Sequence, residues 1–297
     1  MITGPTASGK SALAVELASR LQTEIISADS RQIYKGIPIA TALPSADEMK
    51  GIPHHLLDFL DLTEYYSAAR FEEDAEGLLK NILRDRGSAI ICGGSMLYID
   101  ALVKGIDELP TVPDEIRDSL MKEWKAEGDS RLLDMLKSLD PEYFKRADLK
   151  NLKRVFHAVE VSITAGRPYS SLLSGKATKG NRDYEVVKFC LSGQRPKLFD
   201  RINRRVELMV ETGLEEEARR VYGMRHLNSL NTVGIKEMFA FFDGLLSREE
   251  AIARIQKNTR VYAKKQLTWH KRDLEINYLD FSSAQSANVE IILSKLH

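Results

Sequence analysis

The sequence predicts an α/β fold: a parallel sheet flanked by helices, with an all-helical domain inserted into it. Three observations carry this expectation. A glycine-rich loop, Gly4-Pro5-Thr6-Ala7-Ser8-Gly9-Lys10-Ser11, joins a short apolar stretch to an apolar-periodic helix. Apolar runs then alternate with helical segments, the pattern of parallel strands joined by crossover helices. From Pro110 to Leu173 helical periodicity dominates, punctuated by Pro110, Pro113, Pro141 and Pro168.

Taken in order, Met1-Ile2-Thr3 is a first strand, short for one that carries a phosphate loop, since strands usually run to about five residues. Either the natural start lies upstream or the strand is cut short. Leu13, Val15, Leu17 and Leu21 mark the helix after the loop, and Glu24 to Asp29 reads as a buried strand ending in a carboxylate. Phe71 to Leu83 is a helix, Ser88 to Cys92 a strand closed by Gly93-Gly94-Ser95, and another helix starts near Met96. After the helical insertion, Val186 to Leu191 returns as a strand. Long helices follow at Pro196 to Tyr222 and Ser247 to about Lys271, then a last short strand at Tyr278 to Asp280. The expected division is therefore 1–109 with 184–297 as core and 110–183 as insertion. Trp124, Leu132, Leu133 and Leu136 are expected in the core of that insertion.

Composition narrows the function classes. The chain has 297 residues, 43% of them hydrophobic, and zero formal net charge. No apolar run approaches the roughly 18 residues of a membrane span, and no secretory leader precedes the loop, so a cytoplasmic protein is expected. Two cysteines, Cys92 and Cys190, exclude a disulfide framework. Zero net charge argues against binding polyanions over the whole surface but leaves room for a local patch. Arg254, Lys257, Arg260, Lys264, Lys265, Lys271 and Arg272 form a stretch without acids. They are either a solvated helix face or, with Tyr262 and Trp269, a track for phosphates. His54 and His55 lack further ligands at metal spacing, so a turn or helix start is expected there.

The loop matches G-x-x-x-x-G-K-[ST]. Its glycines let the backbone curl so that several N–H groups face one anion, and the following helix adds its positive end. Gly4, Pro5, Thr6, Ala7, Ser8, Gly9, Lys10 and Ser11 are thus candidate diphosphate ligands, with Lys10 a point charge and the Ser11 hydroxyl a ligand for Mg2+. The expected sheet is phosphate-loop NTPase-like. Yet the strand ending at Cys92 lacks the acid such enzymes use to help hold the metal. The acid follows the other strand, at Asp29. Strand ends gather at the ligand crevice of an open parallel sheet, so Asp29 should lie near the loop, as a helix cap, as an outer partner of a metal's ligands, or as a general base beside a diphosphate.

The loop, Ser27 to Gly36, Pro53-His54-His55-Leu56-Leu57-Asp58, Gly93 to Tyr98, Val233-Gly234-Ile235-Lys236-Glu237 and Tyr262 to Trp269 together resemble the tRNA dimethylallyltransferase family. The matches run in order over nearly the whole chain. The resemblance implies transfer of dimethylallyl from its diphosphate to N6 of the adenosine 3′-adjacent to the anticodon. It also implies a phosphate-loop core with an inserted helical domain, and the tRNA anticodon stem-loop as partner. By the same resemblance Asp29 is the base, Thr6 bonds the diphosphate near the breaking bond, and Arg205 contacts the leaving group. Asp29, Ser30, Arg31 and Gln32 meet the target nucleotide, with Ser95 and Arg117 as weaker tRNA contacts. Lys153, Arg154, Val155, Phe156 and His157 meet the stem-loop, although a basic residue is expected at 157. Thr232, Val233, Gly234, Ile235, Lys236 and Glu237 complete the tRNA set.

Three other readings use the same residues: a small-molecule or nucleotide kinase, an adenylate isopentenyltransferase acting on free nucleotide, and a non-catalytic RNA-binding module. The absent strand-end acid weighs against the first. The helical insertion and basic run weigh against the second, and the intact Thr6, Lys10, Ser11 and Asp29 against the third. A monomer is expected, because RNA supplies the partner surface.

Overall fold

A computed structural model of the protein describes residues 1–107, 109–173 and 183–296. Six strands form one parallel sheet: β1 (Ile2–Thr3), β2 (Ile25–Ala28), β3 (His54–His55), β4 (Ile90–Gly93), β5 (Phe189–Ser192) and β6 (Asn277–Asp280). Their order is β3-β2-β4-β1-β5-β6. β1, though two residues long, is central: Ile2 pairs with Cys92 on one side and Phe189 on the other. The sheet's buried side chains, Ile2, Ile25, Ile90 and Phe189 among them, share a core with Leu13 and Leu17. Such near-continuous apolar strands are what a parallel sheet covered on both faces requires.

The sheet's first helices are α1 (Lys10–Leu21), α2 (Pro38–Thr41), α3 (Ala46–Met49), α4 (Ala68–Arg86) and α5 (Met96–Lys104). The insertion carries α6 (Asp114–Glu127), α7 (Asp129–Leu139), α8 (Pro141–Arg146), α9 (Leu152–Ala165) and α10 (Tyr169–Leu172). Then come α11 (Arg195–Glu211), α12 (Leu214–Val221), α13 (Ile235–Phe242), α14 (Arg248–His270) and α15 (Gln285–Leu293). Contacts divide the chain into Met1–Val103 with Arg182–His297, and Lys104–Asn181. The stretch 174–182, part of the expected insertion, lies outside the described residues. The helical unit has its own core of Leu120, Leu132, Leu136, Val155, Phe156 and Val159, with Trp124 and Leu133 packed on it.

Two sequence expectations need correction. The helix expected from Pro196 to Tyr222 breaks at Gly213, whose φ of 104° is left-handed backbone open to glycine. α11 and α12 are separate as a result. His54 and His55 are neither a turn nor a helix start. They form the edge strand β3, paired to Ile25 and Ile26, with His55 Nε2 2.7 Å from Glu24 Oε2. Among the described residues no helix is long and apolar enough to cross a membrane.

Candidate active site

The phosphate loop fills the gap between β1 and α1. Ala7 (φ 63°) and Gly9 (φ 91°) lie in left-handed space, and the Ser8 N–H closes the loop onto the Pro5 carbonyl at 3.2 Å. This alternation turns backbone N–H groups toward one side, forming a nest for an anion. α1 starts at Lys10, so its first-turn N–H groups and positive end face the same place. Burial lowers the Lys10 ammonium below its ordinary value; Asp29 opposes this shift and Arg205 adds to it. A partly desolvated lysine with an arginine beside it is a site that gains from an incoming diphosphate.

Asp29 follows β2. Its Oδ1 accepts the Arg31 N–H at 2.9 Å and the Gln32 N–H at 3.4 Å, so the carboxylate orders its own turn. Arg205 comes from α11, where its Nη1 donates to Thr6 Oγ1 at 3.5 Å. Burial lowers the Arg205 guanidinium from its ordinary value, and Asp29 and Glu48 oppose the shift.

These three residues share one cleft of about 320 Å3. Its apolar wall comes from one face of α11 (Ile202, Val206, Met209) and from Ile255 on α14, at the three- and four-residue spacing that stacks side chains on a helix. Ser30, Arg31, Thr232, Val233 and Lys236 also line it. Ala40 and Thr41 do so from α2, whose start is held by Glu217 on α12. The fully buried Glu217 carboxylate accepts the N–H groups of Ile39 and Ala40, each at 2.8 Å.

The remaining sequence-identified residues divide by position. Ser95 is buried; its hydroxyl accepts the Ser30 N–H at 2.7 Å and donates to Ser30 Oγ at 3.0 Å. Gln32 donates to the carbonyls of Thr41 and Ala42, and Arg31 to those of Asn228 and Ser229. Gly234, Ile235 and Glu237 are buried, and Glu237 accepts the Gly234 N–H at 2.8 Å to start α13; Lys236 is exposed. In the helical unit Lys153, Arg154 and His157 are exposed on α9, while Val155 and Phe156 anchor that helix in its core. The buried Glu160 carboxylate ties His157 Nδ1 (2.9 Å) and Arg117 Nε (2.9 Å).

On the basic run, Trp269 donates to Asp100 and the Lys264 ammonium lies over the Phe199 ring, so both pack locally. The sequence alone did not single out Ile202, Val206, Met209, Ile255, Gln266 or Glu217. Helical spacing around Arg205 and Tyr262 carries the signal for the first five. Glu217 sits in an acidic triplet that resembles solvated surface.

Behind the loop, His270 at the end of α14 meets Thr3. The Thr3 hydroxyl gives its one proton to the Gly93 carbonyl at 3.1 Å, so it accepts from His270 Nε2–H at 3.1 Å. Burial pushes the His270 imidazole down to about 4; Lys10 lowers it further and Asp273 opposes. The unfolded chain returns it to about 6.5. Unfolding therefore takes up a proton between these values, so this contribution is intact above pH 6.5 and is lost as pH falls toward 4, by at most about 3 kcal/mol. Denaturant unfolding across that range should show the slope, and His270→Gln should flatten it. An unchanged slope in the variant would contradict the assignment.

The IPP transferase family model matches residues 32–273. The chain belongs to the IPP transferase family. It is 47% identical over 278 residues to tRNA dimethylallyltransferase 2 of Parabacteroides distasonis, covering 94% of this chain and 92% of that one. It is 46% identical to tRNA dimethylallyltransferase 2 of Azobacteroides pseudotrichonymphae, covering 94% and 90%. Among solved structures of the family, the Bacillus halodurans tRNA isopentenylpyrophosphate transferase superposes with a TM-score of 0.73 at 35% identity, over 99% of this chain and 94% of that one. A eukaryotic dimethylallyltransferase acting on tRNA gives 0.75 at 27% identity, over 94% and 73%.

Proposed function

We infer that this protein transfers a dimethylallyl group from dimethylallyl diphosphate to N6 of the adenosine 3′-adjacent to the anticodon in tRNA, releasing diphosphate. The observation that carries this is the single cleft in which Asp29, Thr6 and Arg205 meet beside an apolar wall. The family membership supports prenyl transfer over phosphoryl transfer.

The chemistry follows from the placement. The allylic C–O bond breaks and the diphosphate oxygen keeps the electron pair. Thr6, Lys10 and Arg205 stabilise the charge that develops there, more strongly because they are partly desolvated. The N6 amine forms the new C–N bond, and its proton passes to the Asp29 carboxylate as general base. Ile202, Val206, Met209 and Ile255 receive the five-carbon chain and keep water from the allylic centre.

Magnesium fits the loop when diphosphate is present. Ser11 offers one hydroxyl, and no cluster of three His, Cys, Asp or Glu suited to a metal occurs among the described residues. Diphosphate oxygens and water would supply the other ligands, the usual company of this ion, and its charge there would offset that of the diphosphate.

The adenosine reaches the cleft unstacked, which a single-stranded loop allows. Ser30, Arg31, Thr232, Val233 and Lys236 surround it. Lys153, Arg154 and His157 on α9 meet the stem-loop, with Arg117 acting through Glu160. RNA supplies the partner surface, so the enzyme works as a monomer in the cytoplasm. The test offers radiolabelled dimethylallyl diphosphate and Mg2+ with tRNA, AMP or ATP as acceptor. Label on tRNA alone is expected. Label on free nucleotide would move the enzyme to the adenylate branch.

A further inference from the structure

Between the leaving-group threonine and the base runs a chain of hydrogen bonds with a glutamine at its centre. Gln266 on α14 is 1% exposed. Its Oε1 accepts the Thr6 N–H at 2.9 Å, and its Nε2 donates to the Gly94 carbonyl at 2.9 Å. The residue after Gly94 is Ser95, whose hydroxyl accepts the Ser30 N–H at 2.7 Å; Ser30 follows Asp29. The amide reaches Gly94 only because that residue has no side chain, since a Cβ there would lie 2.4 Å from Nε2. One turn earlier on α14, the Tyr262 hydroxyl donates to the same carbonyl at 3.3 Å. One turn later, His270 holds Thr3. Three successive turns of one helix thus grip the ends of β1 and β4.

The Thr6 N–H is bonded to this buried side chain and so stands apart from the N–H groups of the loop that face the anion. Its amide is committed to the scaffold, and its hydroxyl is left at the cleft beside Arg205. A buried amide with both ends satisfied has one orientation, because turning it over sets donor against donor and acceptor against acceptor.

We propose that Gln266 is a positioning residue of the transfer reaction, setting the distance between the Thr6 hydroxyl at the leaving group and the Asp29 carboxylate at the nucleophile by bonding the Thr6 N–H and the Gly94 carbonyl together. It touches neither substrate. The proposal rests on the prenyl-transfer reading, so wild-type transfer to tRNA is measured first; its absence counts against that reading, not against Gln266.

The test is a double-mutant cycle with Thr6→Ala. Gln266→Met keeps the volume and removes both hydrogen bonds. Misplacement of a catalytic group by a fraction of an ångström to 1 Å lowers kcat by about 10- to 100-fold with little change in KM for either substrate. In the Thr6→Ala background the same substitution should cost less than about threefold, because the group it positions has gone. Multiplying effects in the two backgrounds, or a loss confined to KM, would overturn the proposal and leave Gln266 a packing residue. If Gln266→Met does not fold, Gln266→Glu serves. It keeps the acceptor for Thr6 but sets a carboxylate against the Gly94 carbonyl, and the same non-additivity with Thr6→Ala is expected; additivity would again overturn the proposal.

Discussion

Asp29→Ala is expected to lower kcat for prenyl transfer by at least about 100-fold, the scale of a lost general base, while tRNA affinity stays nearly unchanged. The carboxylate does two things in the structure. It orders the turn through Oδ1, bonded to the N–H groups of Arg31 and Gln32, and it lines the cleft beside Thr6 and Arg205. Alanine removes both functions, so Asp29→Asn is the informative companion. Asparagine keeps the acceptor oxygen and the turn but takes up no proton near neutral pH. If the base reading holds, Asp29→Asn also loses at least about 100-fold in turnover although its turn is kept. If Asp29→Asn turns over near-normally while Asp29→Ala does not, the residue is a turn cap and the proton leaves by another route. Single-turnover kinetics at saturating tRNA, with tRNA binding measured separately, distinguishes these outcomes.

Gly93→Ala should destabilise the protein by at least about 3 kcal/mol, at or beyond the upper end of ordinary overpacking. Gly93 pairs with Ala28 across β2 and β4, and a Cβ on it would lie 2.1 Å from the Ala28 carbonyl oxygen and 2.4 Å from its carbon. Both are backbone atoms at the paired ends of two interior strands, so no side-chain rotation relieves the clash. Gly77 on α4 is the matching control, exposed with nothing within 4 Å of its added Cβ. Gly77→Ala should stabilise by about 0.5–1 kcal/mol through helix propensity. Denaturant midpoints of the two variants should therefore move in opposite directions. A Gly93→Ala protein as stable as wild type would contradict the close approach. The same crowding gives a physical reason for the strand-end acid missing from β4. Position 93 has no room for a side chain, and the nearest acid stands one strand away, after β2.

The phosphate loop, the strand-to-Asp29 step and the helical insertion were readable because each has a local signature: glycine spacing, an apolar run ending in a charge, and a change of period. The apolar wall was not, because Ile202, Val206 and Met209 follow the same helical period as any core face, and only the fold shows that they meet a cleft. His54 and His55 misled for a related reason: a two-residue edge strand is too short to leave a period. The break at Gly213 was available in principle, since one glycine inside a long polar helix is a weak signal that φ 104° makes decisive. Gln266 was visible in the sequence as part of a motif, but its bonds join residues 260 and 172 positions away, which no local pattern encodes. Val155 and Phe156 belong to a candidate RNA-binding stretch, and their burial shows that different faces of α9 serve core and surface.

The most direct measurement is nucleoside analysis of tRNA incubated with the enzyme, dimethylallyl diphosphate and Mg2+. After complete digestion, N6-dimethylallyl adenosine should appear at one site per tRNA, and it should disappear when the adenosine following the anticodon is replaced by guanosine. Modification that persists after this replacement, or the absence of any modified nucleoside from the digest, would contradict the account.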